Sequence, residues 1–410
     1  MFERRIPEWL RHAPVPGVRG FAVLAGTEAI SRGILISVFP VAMYRALGDP
    51  ATVSEVYFLI GIASLFVALL VPFLTRFVAR RYMYTAGGLM LASGALIAAQ
   101  GGFAVPIGLA LNTIAVVVMF VCFNAYVMDY IARTELGRCE TLRMFYAAAG
   151  WTAGPFVGMW LYERWPVAPF VISALAAGVL LAIFWFLRLG DGKQIARALK
   201  PSPTPIAYLP RFLAQPRLVA GWLFATLRSC AWWVYVVYVP IYAIEAGYPD
   251  QIGSIILSIT NGALFVTPLM LAWMHRRSVR HAVRVGFVGS AVLFAAGWAA
   301  AGMPWLALAL LMAASGFLIL LDICGGLPYL MAVRAHERTE MSAVYSTYRD
   351  VSGIITPGAA RLVLFFAPLP AVFGAAALGL AACYLIAGRL HPRLGQRRVV
   401  NPTLEAADPA

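Results

Sequence analysis

Residues 105–123 read VPIGLALNTIAVVVMFVCF, nineteen residues without a charged side chain. A helix needs about 20 apolar residues to cross the hydrocarbon core of a bilayer. Because lipid leaves no solvent partner for backbone N–H and C=O groups, such a stretch predicts a membrane-spanning α-helix and not a strand. The whole chain is 61% hydrophobic and only 12% charged, whereas a soluble domain is about one quarter charged. These features predict an all-α membrane protein.

Similar apolar runs recur along the 410 residues, and we count twelve of them. They cover approximately residues 20–44, 54–75, 83–101, 105–132, 144–162, 168–188, 217–245, 251–274, 283–302, 304–332, 341–366 and 369–389. We number them span 1 to span 12. The sequence thus predicts an N-terminal six-helix half over 1–190 and a C-terminal six-helix half over 217–392. A cytoplasmic linker over 191–216 joins them, and a tail over 393–410 is expected to be disordered.

Lysine and arginine are distributed unevenly over the connecting segments. If both termini lie in the cytoplasm, 26 of the 32 basic residues fall on the cytoplasmic side. Only Arg45 and Arg164 lie in loops on the opposite side, as the positive-inside rule predicts. The net charge of +14 is therefore a signal of topology, and we expect no nucleic-acid partner. Short loops without a glycosylation sequon favour the inner membrane of a bacterium.

The residues that usually hold metals or drive catalysis form no pattern in this chain. Its five cysteines and five histidines lack metal-ligand spacing, and no G-x-x-x-x-G-K-[ST] loop is present. The sequence therefore predicts no metal, no cofactor and no enzymatic activity.

The two halves repeat several features at a nearly constant offset. Pro40 in span 1 corresponds to Pro240 in span 7, and Pro155 in span 5 corresponds to Pro357 in span 11. Two similar halves that rock around a site near the bilayer midplane are typical of secondary transporters. We therefore expect two pseudo-symmetric six-helix halves and transport by alternating access.

Span 5 contains the sequence GWTAGPFVG at residues 150–158. The small residues at Gly150, Gly154 and Gly158 form one smooth helix face that another helix can approach closely, and Pro155 bends the helix. The pattern resembles the antiporter motif of the fifth helix in the major facilitator superfamily, especially its drug/proton antiporters. The resemblance implies the twelve-helix fold of that superfamily.

Residues 125–138, AYVMDYIARTELGR, resemble the end of the fourth helix in the same superfamily. By that resemblance Asp129 and Arg138 belong to a cytoplasmic charge network that latches the outward-facing state. Arg133 lies four residues after Asp129 and is able to pair with it. The loop between spans 2 and 3, PFLTRFVARRY, supplies Arg76 and Arg80 to this latch but lacks the aspartate of the family's motif.

Charged side chains inside the spans are the main candidates for the functional site. Each costs about 2.5–3.5 kcal/mol to insert at the bilayer centre, so such residues are usually paired or face a water-filled path. The six are Glu28, Arg32, Arg228, Asp322, Arg349 and Asp350. Counted from the cytoplasmic helix ends at about 1.5 Å per residue, all six fall in one layer. Arg361 is expected near the outer end of span 11, with its side chain reaching the membrane surface.

These six charges allow several pairings and roles. Glu28 and Arg32 share a helix face and either neutralise each other or act as proton carrier and substrate ligand. Across the halves, Glu28 is also a potential switching partner of Arg228. We expect Arg349 to pair with Asp322. Candidate proton-coupling residues are Glu28, Asp322 and Asp350, and candidate substrate-binding residues are Arg32, Arg228, Arg349, Asn124, Trp232 and Tyr348.

Three functions remain open from the sequence. The first is a monomeric, proton-coupled exporter of a small organic substrate, in which Glu28 carries the proton. The second is an exchanger or importer of organic anions or phosphorylated compounds, gripped by Arg32 and Arg228 through guanidinium forks. The third is a membrane receptor or assembly factor that transports nothing. The substrate itself is expected to be anionic or amphipathic.

Overall fold

The structure of the protein is a computed structural model that describes residues 17–74, 77–131, 136–187, 208–333, 341 and 344–391. The regular structure of these residues is helical, without a strand. The main helices are α1 Val18–Gly33, α2 Val38–Leu47, α3 Pro50–Leu74, α4 Arg80–Ala98, α5 Ala104–Tyr130, α6 Leu136–Arg164, α7 Ala168–Phe186, α8 Leu209–Leu213, α9 Pro216–Glu245, α10 Gln251–Gly262, α11 Thr267–Arg276, α12 Val279–Ala299, α13 Pro304–Cys324, α14 Leu327–Ala332, α15 Tyr348–Phe366 and α16 Ala371–Ala387. A 3-10 helix, Ala263–Val266, joins α10 to α11.

The helices coincide with the apolar runs of the sequence. Eight helical segments among the described residues are long and apolar enough to cross a membrane. The prediction of an all-α membrane protein is thereby confirmed, whereas the number twelve and the cytoplasmic position of both termini stay predictions. The helix α3 begins at Pro50 behind an N-cap, Asp49, whose Oδ2 accepts hydrogen bonds from the backbone N–H and the hydroxyl of Thr52 at 2.9 and 2.8 Å.

Several spans are interrupted, and span 8 is divided between α10 and α11 by the 3-10 helix Ala263–Val266. Span 10 breaks at Gly325 and Gly326, between α13 and α14, and Pro328 lies in the first turn of α14. Span 1 also breaks, at residues 34–37 between α1 and α2, and nothing in the sequence analysis predicted this break. The break follows Gly33, where α6 approaches so closely that a Cβ on Gly33 would overlap the carbonyl of Gly150.

Helix packing repeats between the two halves of the chain. The helix α1 packs along α6 as α9 packs along α15, and α4 packs on α5 and α7 as α12 packs on α13 and α16. Between the halves, α3 contacts α15, α6 contacts α10, and α2 contacts α9. This pattern is the packing expected of an internal repeat. The exact domain boundaries stay a prediction, since residues 188–207 of the connection lie outside the described residues.

The hydrophobic core is shared by both halves at one end of the bundle only. There, buried residues such as Phe39 and Tyr57 belong to the same cluster as Tyr235 and Tyr238. Toward the other end, two further cores each stay within one half. One is confined to residues 21–187 and the other to 212–344. We call the first end, where α2 and α9 finish, the closed end, and the opposite end the open end.

Candidate functional site

Polar side chains join the two halves at the closed end. The pairs are Arg45 with Asp250, Glu163 with Gln251, Tyr44 with Glu245, and Arg361 with Glu55. In the last pair, Arg361 Nε lies 3.5 Å from Glu55 Oε2 on the facing half. The expected reach of Arg361 to the membrane surface stays a prediction. None of the other three pairs was predicted. Their only signal in the sequence is a polar residue at the non-basic end of each span.

Further contacts between the two halves lie next to these pairs. The hydroxyls of Ser54 and Tyr238 lie 2.8 Å apart in a buried contact between α3 and α9. A Cβ on Gly61 would lie 2.6 Å from the carbonyl oxygen of Gly353, so α3 and α15 touch backbone to backbone. The described residues of the two halves are therefore in direct contact at this end.

The glycine motif of span 5 lies against α1. A Cβ on Gly150 would lie 2.7 Å from the carbonyl carbon of Ala29, and one on Gly154 would lie 2.5 Å from that of Gly33. A Cβ on Gly158 would overlap the carbonyl of Ile34. The three glycines are thus required for close packing of α6 on α1, whereas an antiporter role for the motif stays a prediction.

The α6 helix contains a proline within that motif and is anchored around it by hydrogen bonds. Pro155 lies inside α6, and its carbonyl accepts a hydrogen bond from the Ser37 hydroxyl at 2.8 Å. The side-chain amide of Asn261, from the other half, donates to the carbonyl of Trp151 at 2.8 Å. These contacts hold the break between α1 and α2 and fix α6 against both halves.

The N-terminal half places one arginine–carboxylate pair on α1. Arg32 Nη1 lies 3.0 Å from Glu28 Oε1, and the Arg32 guanidinium lies over the ring of Trp151 at 5.3 Å. The Arg32 side chain is 33% exposed and that of Glu28 only 17%. The guanidinium is therefore the more solvent-accessible group of this pair. Trp151 was not predicted, although it stands within the glycine motif that packs on α1.

The C-terminal half places a second pair on α9 and α13. Arg228 Nε lies 3.2 Å from Asp322 Oδ1, and the indole N–H of Trp232 donates to Asp322 Oδ2 at 3.0 Å. Here the carboxylate is the accessible member, at 39% exposure against 11% for Arg228. The expected pairing of Asp322 with Arg349 is thus wrong, since one turn of α9 brings Arg228 and Trp232 together onto the carboxylate. Glu28 and Arg228 each have a partner within their own half.

Tyr348 connects the second pair to Arg349. Its hydroxyl accepts from Arg349 Nε at 3.1 Å and from Arg228 Nη2 at 3.5 Å. The exposed Arg349 guanidinium also lies 5.3 Å from the ring of Phe120, on α5 of the other half. No carboxylate of the described residues forms an ion pair with it. Phe120 was not predicted, since an apolar residue in an apolar span carries no signal.

The remaining candidates contribute less. Asn124 lies one turn beyond Phe120 on α5, and neither it nor Asp350 forms a side-chain hydrogen bond or ion pair within the described part of the chain. Arg80 lies with its guanidinium 5.3 Å from the ring of Tyr126. The other predicted latch residues fall outside the description. They are Arg76 and Arg133, which are not described, and Asp129 and Arg138, whose side chains are not described.

Comparison with known proteins identifies the fold. A family model described as the Major Facilitator Superfamily matches residues 21–357. The crystal structure of the nucleoside transporter NupG has a TM-score of 0.69 at 14% identity, covering 91% of this chain and 99% of that one. A POT family transporter in complex with 5-aminolevulinic acid gives 0.70 at 12% identity, with coverages of 91% and 95%.

A second POT family structure, in complex with a thioalcohol conjugated peptide, gives a TM-score of 0.71 at 12% identity and covers 90% of this chain and 95% of that one. Among curated proteins no sequence relative was found. Identities this low establish the fold and not the substrate. The matched family model, the repeated helix packing and the transporter neighbours agree with the resemblance seen in the glycine motif, and the chain belongs to the Major Facilitator Superfamily.

Proposed function

We propose that this transporter exchanges protons for a small organic solute, and exports it. The observation that supports the proposal is the arginine–carboxylate pair in each half, placed beside an indole at the interface of the halves. A substrate site between two halves is what alternating access requires. An ion pair at such a site also has two states. In one, the arginine and the carboxylate bind each other. In the other, a proton or a solute has separated them.

The exposed members of the two pairs indicate the solute's chemistry. Asp322 is the accessible group in one pair and Arg32 in the other, so a solute entering from the open end meets one carboxylate and one guanidinium. A molecule with both a basic and an acidic group is complementary to this arrangement. Trp232 and Trp151 add aromatic faces, which favour a cationic or amphipathic part.

Exchange follows if proton and solute compete for the same carboxylate. A proton or a basic group of the solute neutralises Asp322 equally well, and each excludes the other. Protonation of Glu28 removes the charge that holds Arg32, which frees the guanidinium for an acidic group. Glu28 is therefore our candidate for the coupling site, with Asp322 and Asp350 as the other carboxylates of the layer.

Transport in proteoliposomes tests the proposal. Amino acids, dipeptides, organic cations and organic anions are first screened for thermal stabilisation of the purified protein at two pH values. The best ligand is then followed in solute counterflow and in accumulation driven by an imposed pH gradient. Glu28→Gln should keep counterflow and lose the pH-driven component. Unchanged pH-driven transport by this variant would exclude Glu28 as the coupling site.

Asp322 needs a balanced substitution. Asp322→Asn alone leaves Arg228 charged and buried, at a cost of about 3–5 kcal/mol. The double variant Asp322→Asn with Arg228→Gln removes both charges and avoids that penalty. It should lose binding of solutes that carry a basic group. Retention of that binding would show that the carboxylate does not contact the solute.

Exchange of organic anions is the second candidate function. It is supported by Arg349, an exposed guanidinium between the halves that has no ion-pair partner among the described residues. If this alternative is correct, Arg349→Gln abolishes anion binding. Transport by the parent protein then does not depend on pH, and Glu28→Gln does not change that. A chain that moves no solute in either assay would instead support a receptor function.

A further inference from the structure

A polar pocket lies away from the interface of the halves, where α12 begins and α16 ends. It measures about 450 Å³ and is lined by Ser278, Arg280, His281, Arg284, Val285, Val288 and Tyr384. Its basic residues belong to the first two turns of α12. The Ser278 hydroxyl caps that helix by accepting from the backbone N–H of His281 at 3.1 Å.

The two arginines of this pocket are fixed but not neutralised. Arg280 Nη2 donates to the carbonyl of Gly388 at 2.7 Å, and Arg284 Nη2 donates to the hydroxyl of Tyr384 at 2.7 Å. The Nε atoms of both arginines are buried without a hydrogen-bond partner, and neither guanidinium pairs with a carboxylate of the described residues. Like charges four residues apart on a helix repel each other. An anion bound between them would remove that repulsion.

An apolar groove adjoins the pocket, and the two share Val285. The groove measures about 490 Å³ and is lined by Leu269, Met270, Trp273, Val285, Ala313, Gly316, Phe317 and Leu320. Its α13 residues lie four to eleven positions before the end of that helix at Cys324, which corresponds to about 6–17 Å along the bundle. The groove therefore extends from the helix end toward the middle of the membrane.

We propose that this pocket and groove together bind an anionic phospholipid. The phosphate lies between Arg280 and Arg284, whose guanidinium forks match its oxygens, and one acyl chain lies in the groove. The apolar groove selects a lipid over free phosphate, because phosphate alone leaves it unfilled. The unpaired charges select an anionic headgroup over a zwitterionic one. Basic pockets between membrane helices bind anionic headgroups in this way.

The test measures lipid binding to the full-length protein in detergent. Delipidated protein is titrated with phosphatidylglycerol, phosphatidylcholine or inorganic phosphate, and bound lipid is counted by native mass spectrometry beside the thermal shift. We expect phosphatidylglycerol to bind about 30-fold more tightly than phosphatidylcholine, as two arginines near an anionic headgroup predict. The double variant Arg280→Gln with Arg284→Gln should lose this preference.

Substitutions in the groove separate a lipid from a free anion. Gly316 lines the groove, and a Cβ there would meet no atom within 4 Å, so the leucine of Gly316→Leu begins in open space and occupies part of the groove. Gly178 on α7 has the same free space, and Gly178→Leu is the matched control. We expect Gly316→Leu to weaken phosphatidylglycerol binding and Gly178→Leu to leave it unchanged.

Two results would overturn the proposal. The first is equal binding of the two lipids by the parent protein. The second is phosphate binding as tight as that of phosphatidylglycerol together with no effect of Gly316→Leu, which identifies a site for free anions. Neither result bears on solute exchange between the halves, because the lipid site and the two ion pairs share no residue.

Discussion

Replacing Gly154 by alanine tests a close backbone contact between α1 and α6 in the N-terminal half. The new Cβ would lie 2.5 Å from the carbonyl carbon of Gly33 and 2.9 Å from the backbone nitrogen of Ile34. Carbon atoms in contact prefer about 3.5–4.0 Å, so α1 and α6 must separate by roughly 1 Å. Both obstructing atoms are backbone and cannot move aside by changing rotamer. We expect Gly154→Ala to lower the free energy of unfolding by about 1–3 kcal/mol, the usual range for overpacking.

Gly178→Ala is the matched control for this measurement. Gly178 lies in α7, and a Cβ there meets nothing within 4 Å. Alanine should then stabilise the helix by about 0.8–1 kcal/mol through its higher helix propensity. The opposite signs of the two variants make the comparison independent of any general effect of removing a glycine.

Unfolding in mixed micelles, followed by tryptophan fluorescence, measures both variants. The expected loss at Gly154 corresponds to a change of roughly 5- to 150-fold in the unfolding constant. Equal or greater stability of Gly154→Ala would refute the backbone contact between α1 and α6. A stable variant with lost transport would assign the glycine to the transport cycle rather than to packing.

Three further predictions concern the closed end and the second ion pair. Asp49→Ala should lower stability by about 1 kcal/mol at neutral pH. Burial alone raises the pKa of Asp49, but hydrogen bonds from Thr52 and Ala51 outweigh it and lower that pKa. The difference in stability between the parent protein and Asp49→Ala should therefore disappear as the pH falls through the carboxyl range near 4. In a protein with a cysteine at position 54 in place of Ser54, Arg45→Asp should make that cysteine reactive toward thiol reagents. Adding Asp250→Arg restores the ion pair with reversed charges and should protect the cysteine again. A double variant that stays reactive contradicts the pairing. Trp232→Phe should weaken solute binding by about two- to tenfold, since one hydrogen bond to a carboxylate is lost, and an unchanged dissociation constant would remove the indole from the site.

Much of the architecture was predictable because hydropathy acts locally. An apolar run of about 20 residues specifies a membrane helix whatever its neighbours are. The break after Gly33 was not predictable, because it depends on the backbone of α6 about 120 residues later in the chain. The six charged residues inside the spans were identified from the sequence alone, since their insertion cost marks them in any apolar run.

The pairing of those charges was predictable only in part. Spacing on one helix correctly indicated Glu28 with Arg32, because residues four apart share a face. Spacing does not specify which helices are neighbours, and the expected pair of Asp322 with Arg349 was wrong for that reason. The contacts Arg45–Asp250 and Glu55–Arg361 were missed on the same ground.

By itself, the sequence determined the membrane environment, the helical class, the two similar halves and the identity of the charged residues. Each of these depends on side-chain chemistry and on periodicity along one helix. Only the tertiary structure decided which end is closed, which carboxylate Arg228 holds, and which member of each ion pair is the more exposed. These properties depend on distances between helices that are remote in the chain. A difference of one or two ångströms decides whether two side chains form a contact.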